Sequence, residues 1–213
     1  MHKKEHISMS VVRRLPRYYR FLKELNQNGE TRTSSKELSR RMGFTASQIR
    51  QDFNCFGGFG QQGYGYNVAV LCDEIEKILG LRHKHSCILI GAGNLGRTIA
   101  THVPFDQLGF SLIGIFDRNP SLHGQKISSL EIMDNRCIPD FAAKHTPTMA
   151  VLCLPKTAIP DIVWTLHEMG IKNYWNFSHY NITLKYPDTI VENVHINESL
   201  MTLCYKVSET LEV

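Results

Sequence analysis

Between Cys87 and Ala100 the chain reads CILIGAGNLGRTIA, and no other stretch restricts the fold as tightly. CILI suits a buried strand and NLGRTIATHV a helix. Between them Gly91, Gly93 and Gly96 keep the spacing G-x-G-x-x-G. The first glycine permits a tight turn, the second lets a pyrophosphate reach the backbone, and the third lets helix and strand pack closely. Gly91, Ala92, Gly93, Asn94, Leu95 and Gly96 are therefore expected to cradle a dinucleotide, with its pyrophosphate on the helix N-terminus, where unpaired N–H groups and the dipole favour negative charge.

A second apolar strand, SLIGIFD, ends at Asp117, 21 residues past Gly96. That is close to the roughly 20-residue spacing of the acid that takes the ribose hydroxyls. A carboxylate there would repel a 2′-phosphate and favour NAD over NADP, although Arg118 beside it blurs the choice. Further strands are expected at residues 149–154 and 173–177, which would bring Leu154, Pro155 and Asn176 to the same crevice. Strands alternating with helices predict an α/β, Rossmann-like parallel sheet over residues 86–213. A dehydrogenase also needs an acid or base and a substrate region. The ten histidines are dispersed, none forms an evident proton relay, and no catalytic residue is assigned. Six cysteines without a CxxC pair argue against a zinc ribbon, and no metal site is expected.

So much chain precedes the glycine motif that its charge matters. Residues 1–66 hold 12 Lys and Arg against 5 Asp and Glu, whereas residues 81–213 hold 11 against 12. A basic half beside a neutral half suggests that the first meets a polyanion. Its pattern predicts three helices. VVRRLPRYYRFLKELNQ places Leu15, Tyr18, Tyr19, Leu22 and Leu25 on one face, with Pro16 marking a first turn or a kink. Ser34 and Glu37 form a capping-box signal before KELSRRMG, and Thr45 to Gln48 repeats it before ASQIRQDFNCF. Two short helices joined across Gly43 make a helix-turn-helix. Ala46, Ile49 and Phe53 would be buried in the third helix, leaving Ser47, Gln48, Arg50 and Gln51 to reach base edges. A bundle with an incidental polar face is the alternative. GGFGQQGYGY, containing Phe59, Gly60 and Tyr64, is too aromatic for a flexible linker and reads as a hairpin wing. Residues 1–80 are thus expected to form a winged helix-turn-helix domain, with Arg14, Lys36, Ser47, Gln48, Arg50, Gln51, Gly60 and Tyr64 as candidate DNA contacts. Apolar runs too short to span a bilayer and an N-terminus unlike a secretory signal predict a cytoplasmic protein with no membrane partner.

The order RLPRYYRFLKEL, SSKELSRRMGFTASQIRQDF, FGGFGQQGYGYNV, ILGL, IGAGNLGRTIA, FDRNP, GIKNYWNF and VENVHI, spread over Val12 to Lys206, resembles the Rex family of redox-sensing transcriptional repressors. The resemblance implies a homodimer on a palindromic double-stranded operator, NAD (NADH/NAD+) as cofactor, and release of DNA when NADH binds. It also implies a swapped C-terminal helix, and NESLMTLCYKVSETL carries a suitable apolar stripe. The family commonly has Tyr in place of His102 and Asp in place of His195, and the resemblance implies that an Arg matching Arg20 pairs with that Asp across the dimer. DFNCFG likewise stands for the usual DFSYFG. Arg20, His102 and His195 are therefore switch candidates. Two further readings stay open: a divergent regulator answering to NADP, ATP or another adenine nucleotide, and a small NAD-dependent oxidoreductase.

Overall fold

A computed structural model describes residues 7–57, 60–61 and 64–211; Phe59 of the expected wing lies outside them. The chain divides into two compact units between Arg82 and His83.

In the first unit, α1 (Met9–Val12) and α2 (Leu15–Gln27) are separate helices, with Pro16 in the first turn of α2, where its missing N–H costs no bond. Leu15, Tyr18, Leu22 and Leu25 are its buried stripe. After β1 (Arg32–Thr33), Ser34 caps α3 (Ser35–Met42) by accepting from the Glu37 N–H at 3.1 Å. The Glu37 carboxylate accepts from Arg41 Nε instead of closing the reciprocal half of the capping box. Gly43, at φ 70°, ends α3, and Thr45 caps α4 (Ala46–Asn54) through the Gln48 N–H. Strands β2 (Gly60–Gln61) and β3 (Gly65–Asn67) form the antiparallel hairpin that follows. β3 also pairs with β1, and Asn67 caps α5 (Val68–Leu79). The described residues thus make a winged helix-turn-helix, its core knitted by edge-on ring contacts of Phe53 with Tyr18 and Tyr66.

One buried residue of α4 departs from the expected pattern. Besides Ile49 and Phe53, Asp52 is enclosed, at 1% exposure. Its Oδ2 accepts from Arg14 Nε at 2.7 Å and Tyr18 Oη at 2.6 Å; its Oδ1 accepts from an Arg14 Nη at 2.7 Å and Gln48 Nε2 at 2.9 Å. Four donors fill the acceptor sites of a carboxylate.

In the second unit, β4 (His85–Ile90) leads into α6 (Asn94–His102), and β5 (Phe110–Asp117) follows. Then come β6 (Lys126–Ile127), β7 (Leu130–Asp134), α7 (Ile138–His145), β8 (Met149–Leu152), α8 (Ile159–Glu168), β9 (Asn173–Asn176), β10 (Ile190–Asn193) and α9 (Ile196–Leu211). Among the described residues the sheet order is β10-β9-β8-β4-β5-β7-β6, parallel except for the β6–β7 hairpin. β4 is buried on both faces. Ile88 and Ile90 pack with Ile159 and Val163 of α8, whereas Cys87 and Leu89 pack with Ile99 of α6. The chain leaves β4 for β5 on one side and later returns to β8 on the other, which places a topological switch point at the carboxyl ends of β4 and β8.

Burial alone would push the Asp52 carboxyl up; the bonds from Arg14, Tyr18 and Gln48 outweigh it and hold the pKa below its ordinary value. A lowered folded-state pKa stabilises the fold above the unfolded value of about 3.9 and is lost as pH falls through the folded value. Urea melts followed from about pH 5 to about pH 2 should therefore show a steeper loss for the first unit of the wild type than for Asp52→Asn. Equal slopes would contradict the assignment.

Candidate functional site

The turn between β4 and α6 is held by contacts that only glycine allows. Gly91 has φ 101°, and a Cβ there would lie 2.4 Å from the Cys153 carbonyl oxygen, just past β8. A Cβ on Gly96 would lie 1.8 Å from the Gly91 carbonyl oxygen. At Gly93 nothing lies within 4 Å of the same construction. Two glycines are therefore required by packing, and the third leaves the backbone open to a ligand. Gly93 is also the N-cap of α6 and supplies no side chain to its first turn. Asn94 and Leu95 are exposed there, so this helix end keeps N–H groups and positive dipole for an anion.

Asp117 closes the next corner. Its Oδ2 accepts from the Ala92 N–H at 2.7 Å and its Oδ1 from the Asn119 N–H at 2.8 Å. The carboxylate is thus tied to the glycine turn and still has acceptor capacity for hydroxyls. Asp134 stands beside it in the β5–β7 register. Hydrogen bonds from the Arg136 side chain and backbone hold its carboxyl down to about 2. Arg118 is exposed, Leu154 half-buried and Pro155 exposed. Leu154 closes on the turn: its Cδ2 would be 3.1 Å from a Cβ at Gly91.

Asn176 stands at the end of β9. It is fully buried. Its Nδ2 donates to the Tyr180 carbonyl and to Asn193 Oδ1, and its Oδ1 accepts from the Ser178 N–H and hydroxyl. It braces the ends of β9 and β10. Two residues missed in the sequence do bear on the turn. Arg97 donates from Nε to the Ala92 carbonyl and from an Nη to Gln125 Oε1, and His123 Nε2 lies 2.9 Å from the Asp117 carbonyl oxygen. The G-x-G-x-x-G spacing says nothing about either, because their partners at the turn are backbone oxygens.

The switch candidates are distributed between the units. Arg20 is exposed with its guanidinium 5.5 Å from the Phe21 ring centroid. His102 is exposed at the end of α6, its Nδ1 3.1 Å from the Thr98 carbonyl oxygen. His195 stacks on His179 with centroids 5.3 Å apart, and its Nδ1 is buried without a hydrogen-bond partner among the described residues.

In the first unit, Ser47, Arg50 and Gln51 are exposed along α4 and Lys36 in the first turn of α3, while Gln48 is half-buried. Arg50 donates to the Ser35 hydroxyl at 3.2 Å. Gly60 lies in β2. Tyr64 is 69% exposed, with its carbonyl accepting from Arg32. Arg14 donates from Nε and one Nη, a single edge of its guanidinium, to buried Asp52, so that edge serves the fold.

Residues 6–54 match the family described as "Putative DNA-binding protein N-terminus" and residues 82–180 the "CoA binding domain". The redox-sensing transcriptional repressor Rex of Thermoanaerobacter pseudethanolicus is 52% identical over 98% of this chain and 93% of its own. That of Clostridium tetani is 47% identical over the full length of both. The chain belongs to the Rex family. Among solved structures, the Rex-family repressor RSP in complex with β-NAD+ and operator DNA has a TM-score of 0.87 at 49% identity, covering 97% of this chain and 94% of that one. RSP in complex with β-NADH has a TM-score of 0.88 at 47% identity, covering 97% and 96%.

The turn geometry separates two glycine substitutions. Gly93→Val, with open space around it, should leave thermal stability within a degree or two while abolishing calorimetric NADH binding. Gly96→Ala should destabilise the second unit itself by about 1–3 kcal/mol through overpacking. Undiminished NADH affinity in Gly93→Val would refute the pose.

Proposed function

We propose that this protein is a homodimeric transcriptional repressor that reads NADH against NAD+ and releases a palindromic operator when NADH binds. The observation that carries the reading is the coexistence, in one Rex-family chain, of a winged helix with an exposed polar α4 and a glycine turn whose Gly93 backbone is open. The likeness to RSP, solved with operator DNA and β-NAD+ and separately with β-NADH, supports both ligands.

In this reading α4 enters the major groove and the wing around Tyr64 follows the backbone or minor groove, with Lys36 on phosphate. NAD(H) lies across the carboxyl ends of β4 and β8, its pyrophosphate on α6 and its adenosine ribose on Asp117. Two carboxylates at neighbouring strand ends, Asp117 and Asp134, disfavour the extra phosphate of NADP. The nucleotide is a signal and is not consumed in turnover. NADH changes DNA affinity only to the extent that it prefers the released arrangement of the dimer.

The second copy is supported by α9. Ile196, Leu200, Leu203 and Val207 are 47–66% exposed along one stripe. An amphipathic helix with its apolar stripe in water calls for a partner surface, and exchange with the second protomer supplies one. None of the helices among the described residues is long and apolar enough to cross a membrane, and the protein is taken to act in the cytoplasm.

Gel-shift titrations test the reading, using a palindrome selected from a randomised duplex pool and NADH, NAD+, NADPH or ATP at one fixed salt concentration. NADH should release the duplex at concentrations where NAD+ does not; failure to bind any palindrome would overturn it. Arg50→Ala should cost about 1–3 kcal/mol on the selected palindrome and little on random DNA. An equal loss on both would place Arg50 on phosphate.

A further inference from the structure

The buried carboxylate of Asp52 does more than join α2 to α4. Each of its oxygens already accepts two hydrogen bonds, and one of the four donors is Gln48 Nε2, at 2.9 Å. Gln48 lies in the first turn of α4, its backbone N–H donated to the Thr45 cap. The first turn is where helices of this kind present side chains to base edges. Its carboxamide is half-buried, and its Oε1 carries no hydrogen bond among the described residues.

This geometry fixes the polarity of the amide. A free glutamine turns its carboxamide over to suit either a donor or an acceptor. Here the turned-over form would set Oε1 against a carboxylate oxygen that can only accept, replacing a charge-assisted bond by repulsion. Asp52 cannot relieve that by protonation near neutral pH, because Arg14, Tyr18 and Gln48 keep it ionised. What remains for a ligand is one acceptor, Oε1, and the second N–H of Nε2. In the major groove an acceptor beside a donor matches N6–H and N7 of adenine, whereas guanine offers two acceptors, O6 and N7.

We propose that Gln48 reads an adenine in each operator half-site and that Asp52 is the positioning residue that makes this reading adenine over guanine. The proposal rests on the DNA-binding reading above.

Full-length protein is used to select duplexes from a randomised pool, with wild type, Gln48→Ala and Asp52→Asn in parallel and folding followed by circular dichroism. The wild type should show one position per half-site at which adenine is preferred. Gln48→Ala should erase that preference alone and weaken binding to the selected duplex by roughly 5- to 150-fold. Folded Asp52→Asn should relax the same position and leave its neighbours unchanged. Guanine placed there should cost the wild type as much as a pyrimidine, and 7-deazaadenine should weaken the wild type while leaving Gln48→Ala unaffected. Neither base substitution depends on Asp52→Asn, so they test the Gln48 contact even if that variant does not fold. Failure of the wild type to select any sequence would remove the DNA-binding reading itself. Selection of a sequence whose preferences survive Gln48→Ala, or equal tolerance of guanine and adenine, would overturn this inference alone.

Discussion

A methyl group at residue 96 would come within 1.8 Å of the Gly91 carbonyl oxygen, and the second unit is organised around that exclusion. Because no side chain intervenes, α6 starts directly on the carboxyl end of β4. Its first turn opens beside Gly93, where a Cβ would meet nothing. Asp117 then ties its carboxylate to the Ala92 N–H of the same turn. The open first turn of α6 and the Asp117 carboxylate are thus brought to the same glycine turn. The sheet order adds the crevice, since β4 is the strand from which the chain goes first one way and later the other.

The first unit is organised by charge. A carboxylate enclosed in a helical core is costly unless its hydrogen bonds are complete, and at Asp52 they are. The three bonds from Arg14 and Tyr18 join the start of α2 to the last turn of α4, so α4 is oriented by a polar contact as well as by Ile49 and Phe53. The cations left over, Arg50 and Lys36 among them, remain on the surface. That agrees with the excess of Lys and Arg over Asp and Glu in residues 1–66.

Spacing made the scaffold legible. Two caps, Ser34 and Thr45, and one glycine stop, Gly43, stand at the helix ends where the spacing put them. The strands through CILI, SLIGIFD and MAVL appear as apolar runs, and NYWN shows through its two aromatic residues. β7 and β10 escaped notice because LEIMD and IVEN are short and half polar. The side-chain partners were not legible. Arg14 looks like any basic residue of a DNA-binding domain until Asp52 is found buried 38 positions away. Asn176 looks like a crevice residue until its amide is seen bracing Tyr180 and Asn193. Arg97 and His123 act on backbone oxygens, which leave no mark in a sequence pattern. Hydrophobic periodicity marks a core; polar pairing across long separations requires the fold.

Two units that share one polypeptide are coupled only if the ligand of each alters the affinity for the other, and that coupling is reciprocal. The most direct measurement is the calorimetric Kd of NADH for the full-length protein, alone and with saturating operator duplex at the same salt. The account predicts weaker NADH binding on DNA, by the same factor by which NADH weakens operator binding. An NADH affinity unchanged by operator DNA would contradict it.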